Sequence, residues 1–192
     1  VVESAVMHKV VNEAKRIADL DAPVLIFGET GTGKEMIARA CHQSSRRSEG
    51  AFLALNCASL PDSVAETELF GYAEGAFNQP SAKVGLLEQA RGGTLLLDEI
   101  ADMSHQLQAK LLRVLEDGEF RRVGDTQPVN VDVRFICTTC RDLGQLVEEG
   151  RFRKELYYRL NVLSLVMPSL KERRQDIVPL AEAFIAQHST KL

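Results

Sequence analysis

The feature that most constrains this sequence is a glycine-rich loop between an apolar strand and a helix. The segment Val24–Phe27 is wholly apolar, which predicts a short buried strand, and residues 28–34 (GETGTGK) follow it directly. A helix is predicted from about Lys34 to Gln43. Glycine adopts backbone angles that other residues avoid, so successive amide groups can point at one anion, and the helix start adds positive potential. The sequence therefore predicts a Walker A phosphate-binding loop.

The candidates for contacts with a nucleotide are the consecutive residues Gly28, Glu29, Thr30, Gly31, Thr32, Gly33, Lys34 and Glu35. Lys34 is expected to reach the outer phosphates, whereas Glu35 occupies the position where such a loop normally carries Ser or Thr to contact magnesium. The alternative is a glycine-rich turn with an exposed lysine. The strand before the loop, the helix after it and the acids described next favour phosphate binding.

Another apolar strand ends in two adjacent carboxylates, Asp98 and Glu99, within the segment GGTLLLDE. Magnesium keeps much of its hydration shell in proteins, so Asp98 is predicted to hold Mg²⁺ through water. Glu99 would point to the other side, where it suits the role of a base or positioner for an attacking water. The alternative is an acid pair at a helix N-terminus, where the helix dipole favours negative charge.

Two polar residues and two arginines complete the candidate set. Asn56 and Thr139 end predicted strands, so either could bond the catalytic acid, the water or a γ-phosphate; the alternative is a strand-end cap. Arg153 and Arg159 lie about 120° apart around a helix, so serving one site would need both ends of a short helix. They could remain solvated, or in an oligomer enter a neighbour's site and stabilise charge on the phosphoryl group.

Helical and strand patterns alternate along the chain, which predicts an α/β fold. The pattern predicts a helix at 6–20, strands at 52–55, 94–97, 131–138 and 162–166, and an amphipathic helix carrying Met103, Leu107, Leu111 and Leu115. Apolar strands separated by helices imply a parallel sheet covered on both faces, with ligands bound at the carboxyl ends of the strands. We expect residues 1–167 to form a nucleotide-binding subdomain and residues 168–192 to begin a helical lid that is truncated.

Composition narrows the class of protein further. The net charge of −4 argues against a generally basic nucleic-acid surface on this domain. The sequence contains no apolar run of about 18 residues, so no membrane span is predicted. The four cysteines are predicted to be ordinary free thiols, and the expected compartment is a reducing cytoplasm. A start without methionine favours a fragment of a longer protein.

Six segments carry a resemblance to a known family. In chain order they are GETGTGKE, ALNCASLP, ETELFG, GGTLLLDEI, QAKLLRVLEDGEFRRVG and FRKELYYRLNV. Together they resemble the AAA+ domain of bacterial enhancer-binding transcription regulators, the sigma-54 activator family. The resemblance covers nearly the whole chain, and in that family Glu35 is the usual residue after the Walker lysine. It implies a P-loop AAA+ fold, ATP and Mg²⁺ as cofactors and a nucleotide-dependent homo-oligomer, expected to be a hexamer.

The resemblance also implies roles for individual residues. Lys34 would bind phosphate, Asp98 magnesium, and Glu99 would activate water. Further roles fall on residues at other strand and helix ends: Asn56 as a switch that moves Glu99 between two positions, Thr139 as a first sensor of the nucleotide, and Arg153 and Arg159 as fingers acting in a neighbouring subunit. The family frequently has Asn beside the sensor, where this chain has Cys140.

One loop departs from the family pattern. Activators of sigma-54 carry GAFTGA in a loop that grips the sigma factor, whereas residues 75–80 read GAFNQP here. This loop, Cys140 and the segment ICTT are most similar to aromatic amino acid regulators of the TyrR/PhhR type. The expected function is an ATP-binding and hydrolysing, self-associating central domain of a transcriptional regulator, with RNA polymerase and a DNA-binding helix-turn-helix engaged elsewhere in the full-length protein. The alternatives are a working sigma-54 remodelling ATPase and a stand-alone P-loop kinase or transporter ATPase.

Overall fold

A five-stranded parallel sheet forms the centre of the protein, which the computed structural model describes over residues 2–76 and 81–189. Seven strands are present in that part of the chain: β1 (Val24–Phe27), β2 (Phe52–Asn56), β3 (Thr94–Asp98), β4 (Glu119–Arg121), β5 (Pro128–Asn130), β6 (Arg134–Thr139) and β7 (Leu163–Val166). The sheet has the order β2-β3-β6-β1-β7, and β4 pairs with β5 in a separate antiparallel hairpin. The predicted parallel α/β architecture is confirmed.

Helices connect these strands and cover the sheet. They are α1 (Ala5–Ala18), α2 (Lys34–Gln43), α3 (Asp62–Phe70), α4 (Leu86–Gln89), α5 (His105–Asp117), α6 (Leu143–Glu148), α7 (Lys154–Leu160) and α8 (Ile177–Ser189), with 3-10 helices at Ile100–Asp102 and Leu170–Asp176. Successive strand residues face opposite sides of the sheet. Leu95 and Leu97 accordingly join a core cluster with α3 and α5, whereas Leu96 joins a second cluster with α1 and α2. Both faces are therefore buried.

The register of the strands gathers their polar ends at one edge of the sheet. Asn56 at the end of β2 lies directly beside Asp98 at the end of β3. Phe27 at the end of β1 lies beside Thr139 at the end of β6. The glycine loop begins immediately after Phe27, so the loop, the acids and the polar strand ends share this carboxyl edge.

Two predicted starts are wrong by two residues or more, and the helix predicted at 6–20 ends at Ala18. The strand predicted at residues 131–138 begins only at Arg134, because Val131 still belongs to the hairpin region, where its N–H bonds Gly118 O. The helix predicted to carry Met103 begins at His105, since Met103 has extended backbone angles. The first error lies between the hairpin and β6, and the second lies in the connection from β3 to α5.

The chain after β7 is helical, as its sequence predicts. The side chain of Ser169 and that of Glu172 form a reciprocal capping box at the start of the second 3-10 helix. No residue of α8 is buried within the described part of the chain. No helix in residues 2–76 or 81–189 is long and apolar enough to cross a membrane. The division of the chain near residue 168 remains a prediction.

Candidate nucleotide-binding site

The loop between β1 and α2 presents backbone N–H groups to a ligand. Gly31 and Gly33 have φ angles of 80° and 90°, in the left-handed region that strains other residues. No side chain of the described residues caps α2 at Gly33. The first N–H groups of a helix have no partner within that helix, and they carry its positive potential. An anion placed at this end of α2 would meet them.

Lys34 is buried at the start of α2, with 6% of its surface exposed. Its ammonium group donates to Gly28 O at 2.9 Å and to Glu29 O at 3.4 Å, and it pairs with Glu99 Oε1 at 3.0 Å. The three N–H donors of the lysine therefore have three acceptors. Gly28 is buried, whereas the Glu99 side chain is half-buried, so a phosphate oxygen can replace the Glu99 carboxylate without leaving a core atom unpaired.

The other predicted loop residues differ in burial. Thr32 is buried, and its hydroxyl donates to Glu29 O at 2.7 Å, which closes a turn inside the loop. Glu29 and Thr30 are exposed. Glu35 is also exposed, and its Oε1 accepts from both Nε (3.1 Å) and Nη2 (2.7 Å) of Arg39 one turn later. Contact of Glu35 with a nucleotide therefore remains a prediction.

Glu99 occupies a strained position between β3 and the first 3-10 helix. With a φ of 52°, it is the one non-glycine residue with a left-handed backbone in the described ranges, a conformation that costs roughly 1–2 kcal/mol. Its Oε2 accepts the backbone N–H of Cys140 at 3.0 Å, while Oε1 faces Lys34. Burial raises the pKa of Glu99, but Lys34 and Cys140 outweigh it and hold the pKa below its ordinary value. Glu99 is thus a fixed, ionised carboxylate.

Asp98 is held by two neighbouring strands. The amide of Asn56 donates to its Oδ2 at 3.0 Å, and the hydroxyl of Thr138 donates to its Oδ1. The N–H of Glu99 in turn donates to the Thr138 hydroxyl at 3.2 Å. Thr138 therefore bridges both acids from β6, and sequence reasoning missed it. A signal exists in the pairing of Leu97 with Cys137, which places Thr138 beside Asp98.

Asn56 and Thr139 make contacts that differ from those expected of them. Asn56 bonds Asp98 and not Glu99. The hydroxyl of Thr139 is turned into its own loop, where it bonds the backbone of Arg141, while its carbonyl accepts the N–H of Gly28 at 3.1 Å. The structure thus places both residues at the predicted edge, and their roles as switch and sensor remain predictions.

Arg153 and Arg159 lie at opposite ends of α7, as their spacing predicts. Arg153 precedes the helix and donates to His105 O at 3.3 Å, and its backbone N–H bonds the side chain of Gln108. Arg159 is exposed in the last turn. Among the described residues, neither guanidinium bonds the loop or the acid pair of the same chain. The four cysteines are free, three of them buried, in agreement with the sequence.

Two residues outside every predicted set also contact the loop. Arg173, from the second 3-10 helix, donates to Thr32 O at 2.6 Å, and its side chain is buried. Met167 packs so closely on Gly28 that a Cβ there would lie 2.7 Å from the Cβ of Met167. The segment after β7 therefore closes the back of the loop.

Comparison with known proteins supports the family resemblance. The family model described as Sigma-54 interaction domain matches residues 1–166. The HTH-type transcriptional regulatory protein TyrR of Enterobacter agglomerans is 58% identical over 182 residues, which are 94% of this chain and 35% of that protein. Regulatory protein AtoC of Escherichia coli K12 is 50% identical over 189 residues, covering 98% of this chain and 41% of that protein. The chain thus spans about a third of the length of the TyrR relatives it matches.

Solved structures agree with this relationship. NtrX from Brucella abortus, determined in complex with ATP, superposes with a TM-score of 0.92 at 42% sequence identity over 100% of this chain and 42% of that one. The same protein in complex with ADP gives a TM-score of 0.91 over 97% of this chain and 41% of that one, also at 42% identity. The chain belongs to the Sigma-54 interaction domain family of bacterial transcriptional regulators.

Proposed function

We propose that this domain binds ATP with Mg²⁺, hydrolyses it and self-associates in response to it, as the central domain of a regulator of aromatic amino acid metabolism genes. The ion pair between Lys34 and Glu99 carries the proposal. It joins the cation expected to bind phosphate to the carboxylate expected to handle water, 3.0 Å apart. The similarity to NtrX, whose structures contain ATP and ADP, supports nucleotide binding, and the similarity to TyrR supports the class of regulator.

The residues of the site fit the phosphates of a nucleotide. The free N–H groups at the start of α2 would receive phosphate oxygens, and residues 28–35 would line them. The Lys34 ammonium, now satisfied by carbonyls and Glu99, would exchange its carboxylate partner for phosphate. That exchange releases Glu99 to orient a water molecule and accept its proton.

Asp98 is suited to a hydrated Mg²⁺. Asn56 and Thr138 bond its two oxygens, which fixes the orientation of this half-buried carboxylate at the carboxyl edge of the sheet. Magnesium supplies charge neutralisation when bound, and few protein ligands are needed because water and phosphate complete its shell. Because Glu35 is paired with Arg39, Asp98 would be the residue that holds the hydrated Mg²⁺.

We propose further that the site is completed between subunits. Arg153 and Arg159 would reach a neighbour's nucleotide. Thr139 would sense the outer phosphate of the bound nucleotide, and Asn56 would move its hydrogen bond from Asp98 to Glu99. The exposure of Arg159 supports action outside its own chain. In the full-length, cytoplasmic regulator, residues 168–192 would begin the lid of a hexamer, and a helix-turn-helix domain and RNA polymerase would be engaged through other segments.

Hydrolysis rate measured against protein concentration tests the proposal. We expect the specific activity to rise steeply as subunits assemble, and ATP to increase the sedimentation coefficient. Glu99→Gln should retain ATP binding but lose at least about a hundredfold in turnover, because it removes the group that accepts a proton from water and leaves Lys34 in place. Mixing Arg159→Ala with Glu99→Gln should restore activity if the arginine acts in trans. ATP binding absent from the wild-type protein would overturn the proposal.

A second candidate is a sigma-54 remodelling ATPase, favoured by the match to the Sigma-54 interaction domain. The loop that would grip the sigma factor includes residues 77–80, which lie outside the described residues. Trapping the domain with a transition-state analogue of ATP hydrolysis and adding sigma-54 separates the candidates. A stable complex supports remodelling, and its absence alongside ATP-driven assembly supports the first proposal.

A further inference from the structure

Arg173 is a buried cation that contacts the phosphate-binding loop from behind. Only 7% of its surface is exposed, and its Nη2 donates to Thr32 O at 2.6 Å. Its Nε is buried without a partner among the described residues. Burying a guanidinium that is not fully paired carries a large desolvation cost. Because this burial is costly, we expect the contact of Arg173 with Thr32 to have a role beyond packing.

The Thr32 carbonyl is part of the peptide unit that also carries the N–H of Gly33. Because a peptide is planar and trans, fixing the direction of the carbonyl fixes the direction of that N–H, which points the opposite way. Gly33 has a φ of 90° and immediately precedes α2, so its N–H belongs to the anion-binding end of the loop. Arg173 on the Thr32 carbonyl therefore sets the orientation of a loop donor.

The position of Arg173 is itself determined by a break in the second 3-10 helix. Its φ and ψ of −127° and 49° are not helical, and they separate it from its exposed neighbour Arg174. Three residues later, Asp176 is fully buried. The second 3-10 helix therefore places a cation, Arg173, at the loop and an anion, Asp176, at the start of α1.

Asp176 fastens this segment to the start of α1. Its Oδ1 accepts the N–H groups of Glu3 and Ser4, both at 2.7 Å, and its Oδ2 accepts the Ser4 hydroxyl at 2.8 Å. Ser4 also caps α1 by accepting the N–H of Met7. Burial raises the pKa of Asp176, but these donors and Arg173 lower it further than burial raises it, so the carboxylate is ionised.

We propose that Arg173 is a positioning residue for the phosphate-binding loop, held in place through Asp176, and that α8 is thereby coupled to the loop's readiness for phosphate. The proposal rests on the proposed function insofar as the ligand is ATP. The structural part of the proposal, that Arg173 orients the Thr32–Gly33 peptide, does not depend on which ligand binds. A movement of α8 that withdraws Arg173 releases this peptide and weakens phosphate binding, although α8 touches no phosphate.

Hydrogen exchange without nucleotide tests the structural part. In Arg173→Ala, amides of the peptide covering residues 28–34 should exchange about tenfold faster, the effect expected from losing a hydrogen bond to a charged group. Amides of residues 94–98 in β3 serve as the reference for global opening and should not change. Arg174→Ala removes the same charge from the adjacent exposed position and should match the wild type. Arg173→Lys should restore part of the protection.

Titration with a fluorescent ATP analogue tests the consequence for binding. We expect about tenfold weaker affinity in Arg173→Ala, with Arg173→Lys intermediate and Arg174→Ala unchanged. If Arg173→Ala does not fold, as judged by circular dichroism, Arg173→Lys and Asp176→Asn replace it in the same two measurements. Loop exchange and affinity equal to those of Arg174→Ala would overturn the proposal. If the wild type binds no nucleotide, the proposed function fails, while exchange measured without nucleotide still shows whether Arg173 holds the loop.

Discussion

Lys34 and Arg134 are buried cations at opposite edges of the same sheet. Lys34 lies at the carboxyl edge with 6% of its surface exposed, and Arg134 begins β6 at the amino edge with 3% exposed. Arg134 donates to Ala18 O at 2.6 Å and to Ile17 O at 3.0 Å. It therefore satisfies the C-terminal carbonyls of α1, as cations near a helix C-terminus commonly do.

The partners of the two cations separate a structural role, that of Arg134, from the phosphate-binding role proposed for Lys34. The carbonyl of Ala18 has no intrahelical donor because it ends α1, so Arg134 has no substitute within the described part of the fold. Lys34 is bound by loop carbonyls and by Glu99, a carboxylate on a strained backbone that a phosphate can displace. Burial of a charge alone does not indicate a binding site. The informative feature is whether its partners can be exchanged for a ligand.

The largest expected effect concerns Lys34→Ala. Losing a charge-assisted contact to phosphate should weaken ATP binding by at least about a hundredfold. The free energy of unfolding should change less than the free energy of ATP binding, because the half-buried Glu99 carboxylate that loses its partner keeps access to water. Isothermal titration calorimetry and urea denaturation measure the two quantities.

Arg134→Met should show the opposite pattern. It leaves the Ala18 carbonyl buried without a partner, which should lower the free energy of unfolding by about 2 kcal/mol while ATP affinity stays unchanged. Arg46→Met, which removes an exposed arginine at the same edge, is the matched control and should leave stability nearly unchanged. If Arg134→Met weakened ATP binding as much as Lys34→Ala does, the assignment of stability to the amino edge and of ATP binding to the carboxyl edge would be wrong.

The sequence predicts the carboxyl edge well because local signals define it. Glycines mark the loop, an apolar run marks β1, and the acids follow β3 directly, so β1 and the bounds of α2 are those expected. The hairpin of β4 and β5 escapes prediction because each of its strands has three residues, too few to establish an alternating pattern.

Contacts between distant segments could not be predicted in this way. Thr138 and Thr139 are adjacent, and only the pairing of β3 with β6 shows that Thr138 faces Asp98. Arg173 lies 141 residues from Thr32 in the sequence, within the charged run KERRQD that favours a solvent-exposed surface. A kink buries Arg173 and leaves Arg174 exposed, and no periodicity in the sequence indicates it.

The smallest expected effect concerns His42, a titratable residue at the amino edge. It lies in the last turn of α2, whose first residue is Lys34, so one helix joins the phosphate loop to the amino edge. Its ring is buried, with Nδ1 at 2.9 Å from the Thr94 hydroxyl and the Phe52 ring 5.2 Å away. Burial and the nearby charge of Arg134 lower its pKa below the ordinary 6.5, against a raising contact with the Gly50 backbone.

A histidine with a lowered pKa makes the fold sensitive to mild acid. Between its folded pKa and 6.5 the unfolded chain binds more protons, so stability is full above pH 6.5 and falls as the pH drops through this window. One proton limits the slope to about 1.4 kcal/mol per pH unit. Urea denaturation from pH 8 to 5.5 should show this decline in the wild type and a smaller one in His42→Gln. ATP affinity should not follow it, because His42 lies about 12 Å along α2 from Lys34. Parallel losses of stability and affinity would instead show that α2 transmits the protonation to the loop.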